Sequence, residues 1–83
     1  MNYDIIIGEW KGYLQESVSG PYLYLCRESK GDTKNDVAHF VLNSAKIKAI
    51  KENKCLDLGG LVIPLTNENI QKIVAFASIL LLK

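Results

Sequence analysis

The side chains with the most chemical capacity in this 83-residue chain are its single histidine, His39, and its two cysteines, Cys26 and Cys55. An imidazole beside a thiol can take its proton and leave a thiolate nucleophile. Nothing in the spacing of these residues sets up such a pair, and a histidine inside the apolar run "VAHFVL" reads as a partly buried strand residue. A zinc site needs about four ligands, usually including a close pair such as C-x-x-C or H-x-x-x-H, and neither pattern occurs. Asp32 and Asp36 fall in a polar turn and read as turn and capping residues, while Glu9 and Asp57 belong to no recognisable catalytic pattern. "LGGL" lacks both the spacing and the following lysine of a phosphate loop. No catalytic residue, metal or cofactor is therefore expected, and the chain reads as a binding protein, not an enzyme.

The constellation with binding capacity is aromatic. Trp10, Tyr13, Tyr22 and Tyr24 fall in the first third of the chain together with Lys11 and Arg27. Aromatic faces stack on bases, and one guanidinium can fork onto a phosphate or carboxylate. A protein that sequesters a nucleotide or another small molecule through this cluster is the alternative expectation. The same rings serve equally as core and cross-strand packing. Alternation in "YLYLCRE" puts Tyr22, Tyr24 and Cys26 on one face and Leu23, Leu25 and Arg27 on the other, so these groups share a single pocket only if a dimer brings the two faces together.

Composition narrows the partner classes. Ten basic and nine acidic side chains leave a net charge of +1, too little field to recruit a polyanion, and nucleic acid is disfavoured. Lys46, Lys48, Lys51 and Lys54 read as the lysines of an exposed strand edge. Lysine-, isoleucine- and asparagine-rich usage is typical of AT-rich coding sequence, as in low-GC bacteria, their phages and plasmids. Two cysteines allow one intramolecular bridge, fewer than a disulfide-stapled secreted domain carries. "MNYDIIIGEW" does not read as a signal sequence, so a cytoplasmic protein with reduced thiols is expected.

These residues need elements to hold them, and the spacing predicts an α+β domain over residues 1–83. The strand-rich part covers 3–65, with about five or six short antiparallel strands in a bent or barrel-like sheet, followed by one C-terminal helix over 67–82. Gly8 and Gly12 are bend points in a long first strand, "SVSGP" a turn, and "SKGDTKND" a second turn. The stretch 36–51 permits a helix capped by Asp36. Its clean alternation in "AKIKA" and the break at Asn43 and Ser44 favour two strands. "ENK" is then a hairpin turn, "GG" a reversal, and Pro64 marks an edge strand.

The tail "IVAFASILLLK" is too short to cross a bilayer, since ten helical residues rise about 15 Å against about 30 Å of hydrocarbon. Ile70, Ile73, Val74, Ala77, Leu80 and Leu81 form one helical stripe suited to a core. Phe76, Ile79 and Leu82 fall outside it, and exposed apolar groups of this size mark interfaces. They predict a homodimer whose interface they form. The expected function is a small protein that dimerises and binds another protein; an inhibitor of a host defence protein, encoded by a phage or mobile element, is its specific form.

Overall fold

In the computed structural model the described residues are 2–28 and 35–81. The order is β1 (Ile5–Ile7), β2 (Trp10–Ser17), β3 (Gly20–Glu28), β4 (Asn35–Val41), α1 (Ser44–Asn53), β5 (Cys55–Asp57), β6 (Val62–Pro64) and α2 (Asn67–Leu81). The first four strands form an antiparallel meander β1-β2-β3-β4, and β5 and β6 a separate antiparallel ribbon. The α+β class, the strand count and the C-terminal helix match the sequence reading, but the sheet is open, with no closed barrel. Asp32 and Leu82 lie outside the described residues.

Local chemistry sets the joints. Gly8, at φ 61°, makes the first of two residues linking Ile7 to its partner Trp10; positive φ at that position suits a two-residue hairpin. The expected long first strand is thereby split in two. Gly12 is required for a different reason: a Cβ there would overlap the Tyr24 carbonyl oxygen and sit 2.9 Å from Leu25 Cδ2. The Ser17 hydroxyl accepts from Ser19 N–H and donates to the Gly20 carbonyl, closing the β2–β3 turn.

The stretch 36–51 needs a correction. Its first part is strand β4, as read, but the second expected strand is helix α1. Asn43 caps it, its side-chain oxygen accepting from Lys46 N–H at 2.8 Å. Ile47 and Ile50, three apart on one helical face, are the residues it buries. Alanine, lysine and glutamate favour a helix once such a face is available, and the two-residue alternation was too short to outweigh it. Lys46, Lys48 and Lys51 consequently lie on a helix, not on a strand edge. Lys54 is its C-cap in the left-handed region, so "ENK" ends a helix and makes no hairpin turn.

One core unites these parts. Leu23, Leu25, Leu42, Leu56 and Ile73 are fully enclosed, with Ile5, Ile7, Trp10, Phe40, Ile47, Ile50, Ile63 and Ala77 around them. Helix α2 packs on β1, β3 and α1. Thr66 caps α2, its hydroxyl accepting from Asn69 N–H. The buried line of α2 runs through Asn69, Ile73 and Ala77, about 40° round the helix from the centre of the all-apolar stripe. The rotation brings Phe76 against the core and leaves Leu81 40% exposed. Asn69 lies on that buried line, its Nδ2 donating to the Ile6 carbonyl at 3.1 Å.

Candidate functional site

The meander has two unlike faces. Leu23 and Leu25 of β3, with Ala38 and Phe40 of β4 and Leu42 just beyond its end, point into the core under α2. On the opposite face stand Lys11, Tyr13 and Gln15 of β2, Tyr22, Tyr24 and Cys26 of β3, and Val37, His39 and Val41 of β4. None of these belongs to the core. The register places Tyr13 directly opposite Tyr24, and Tyr24 directly opposite His39.

The rings on this open face pack in two groups, a pair and a trio. Tyr3 lies 5.4 Å from Tyr13 between centroids, the His39 ring stacks on Tyr22 at 5.1 Å, and Tyr24 meets His39 edge-on at 5.3 Å. These are favourable aromatic spacings. Lys11 Nζ is 5.7 Å from the Tyr3 ring centre, and Tyr22 Oη donates to Gln15 Oε1 at 2.6 Å. Ile6 and Val37, each 56% exposed, and Val41, at 49%, border the rings. The charged side chains that β2, β3 and β4 carry on this face are Lys11 and, at the end of β3, Glu28, and a depression lies at its hairpin end among Ser17, Ser19, Tyr22, His39 and Val41.

Four of the expected ligand residues, Lys11, Tyr13, Tyr22 and Tyr24, thus share the open face. Trp10 and Arg27 do not join them. Trp10 is buried in the core, Arg27 Cζ lies 4.6 Å over its ring, and Arg27 Nε donates to Asp36 Oδ2 at 2.8 Å. The guanidinium is already engaged on the far side of the sheet from the tyrosines, as the strand alternation required.

Two members of the aromatic row were not singled out from the sequence. His39 was read as a packed residue, yet it is exposed between two tyrosines. The alternation Val37, His39, Val41 against Ala38, Phe40, Leu42 carried that signal. Tyr3 precedes the first strand, and the Asp4 N–H bond to the Gly12 carbonyl holds it beside Tyr13; no local pattern announces that contact.

The thiols do not pair with the imidazole. Both cysteines are free and half-buried, and Cys26 Sγ donates to the Lys11 carbonyl at 3.4 Å. No group of three or more metal-ligating side chains occurs among the described residues. No described helix is long and apolar enough to cross a membrane. Of the expected interface, Phe76 is half-buried against the core and Ile79 is 65% exposed. A second surface, a groove between the helices, is lined by Ser44, Ile47, Lys48, Lys51, Ser78 and Leu81. No family model, curated protein or solved structure significantly matches the chain.

Proposed function

We propose that this chain is a non-catalytic binding protein that recognises another protein through the open face of its four-stranded sheet. The observation that carries this reading is the gathering of five rings, the pair Tyr3 and Tyr13 and the trio Tyr22, His39 and Tyr24, on a face that no core residue occupies. Tyrosine offers large contact area with few rotors to immobilise, which suits it to recognition surfaces. The apolar border of Ile6, Val37 and Val41 extends the area.

The shape favours a protein over a small ligand, because small molecules bind in concave sites that bury most of their surface, whereas these rings stand on the open surface of a sheet. Nucleic acid would require several cations along the rings, and Lys11 is the only basic residue of β2, β3 or β4 on this face. Within this class, an inhibitor of a host protein encoded by a phage or mobile element is the form that small size and AT-rich composition support.

Affinity capture from the host cytoplasm, read by native mass spectrometry, tests the proposal. A protein partner bound by the wild type should bind the Tyr13→Ser/Tyr24→Ser variant at least about 30-fold more weakly, as expected for loss of a central aromatic contact worth about 2 kcal/mol. A partner held equally by both proteins overturns the assignment of the face. A nucleotide retained in the spectrum in place of a protein overturns the partner class.

A further inference from the structure

The outer edge of β4 carries an inference beyond the open face. An antiparallel ladder alternates residue pairs that exchange two backbone hydrogen bonds with pairs that exchange none. The Leu42 N–H bond to the Pro21 carbonyl, between residues opposite each other, fixes the phase of the β3–β4 ladder. Phe40 and Ala38 therefore bond inward to Leu23 and Leu25. Val37, His39 and Val41 direct their backbone groups outward, three N–H donors and three carbonyl acceptors. No described strand pairs with that edge.

We infer that β4 is a homodimerisation edge, adding antiparallel to the β4 of a second copy about a two-fold axis at His39. In that register Val37 opposes the partner's Val41, His39 opposes the partner's His39, and Val41 opposes the partner's Val37. Every outward group then has a partner, three pairs of two bonds, six in all. The side chains agree with this occupant. Residues 37–41 contain no charge, proline or glycine, so the strand meets its own copy without like-charge repulsion and lacks the usual guards of a solvent edge. Asp36, just before them, is paired with Arg27. Exposed Val37 and Val41 would form two β-branched cross-strand pairs. The two open faces would join into one eight-stranded surface, with the His39 rings at its centre.

This inference does not depend on which protein the open face binds. Light scattering at micromolar concentration should report twice the chain mass. His39→Pro removes one outward donor while leaving the intrachain ladder complete, a place where a sheet edge tolerates proline; it should give a folded monomer by circular dichroism. Ile79→Glu, on the helix, should remain dimeric. A wild-type monomer overturns the inference, as does a dimer that survives His39→Pro and dissolves with Ile79→Glu. Should His39→Pro fail to fold, amide exchange on the wild type decides. The N–H groups of Val37, His39 and Val41 should exchange about tenfold or more slowly near 1 mM than near 1 μM, and rates independent of concentration overturn the inference.

Discussion

The two edges of the meander differ in length and in what meets their outward backbone groups. β1 is three residues long, and its central carbonyl, on Ile6, accepts from the buried side chain of Asn69. β4 is seven residues long, and among the described residues nothing bonds to Val37, His39 or Val41 from outside the sheet. Both are edges of one sheet with the same ladder chemistry. One is closed by a single amide from the C-terminal helix, and the other is left able to pair. Edge protection here is therefore a matter of which side chain reaches the strand, not of strand propensity.

The largest effect expected from breaking this arrangement is at Gly12, the residue that lets β2 lie between the closed edge and β3. Gly12→Ala would push a methyl group into the Tyr24 carbonyl, and overpacking against backbone should cost at least about 3 kcal/mol in urea unfolding. Retention of wild-type stability would show that the close approach is not needed.

The two faces can be set against each other next. Leu25 is fully enclosed, so Leu25→Ala should destabilise by about 3 kcal/mol. Its neighbour Tyr24, on the open face, should cost less than about 1.5 kcal/mol as Tyr24→Ser, because that change leaves the core intact. Equal losses in chemical denaturation would mean that the open face is structural.

Asn69→Ala tests the closed edge itself. It strips the Ile6 carbonyl of its partner and should cost about 1–2 kcal/mol, and it should speed exchange at β1 while leaving β4 unchanged. The smallest effect is expected at the start of the open edge. Asp36→Asn loses the charge that meets Arg27, and with side chains 32% and 45% exposed the pair contributes less than about 1 kcal/mol. Light scattering should find the same oligomer as the wild type, since the pair lies outside the residues inferred to join.

Much of this was legible in the residue pattern. Alternation in "YLYLCRE" separates the leucines that become core from the tyrosines that become surface. The apolar tail reads as a helix, and the structure forms one over Asn67–Leu81. The errors arose where a short pattern had two solutions. "AKIKA" alternates like a strand, yet Ile47 and Ile50 also share a helical face, and only the helices' mutual packing selects between them. The stripe on α2 was placed slightly wrong because a polar residue is not counted as core from sequence alone, whereas Asn69 is buried through a bond to a residue 63 positions away.

The sequence by itself determined the α+β class, the strand faces and the separation of Arg27 from the tyrosines, because these follow from periods of two and 3.6 residues that local geometry enforces. Only the tertiary structure decided that Tyr3 joins the aromatic face, that Phe76 turns inward, and that β1 is closed while β4 stays open. Each of those outcomes depends on groups far apart in the chain meeting across the sheet or between sheet and helix, where no local period constrains them.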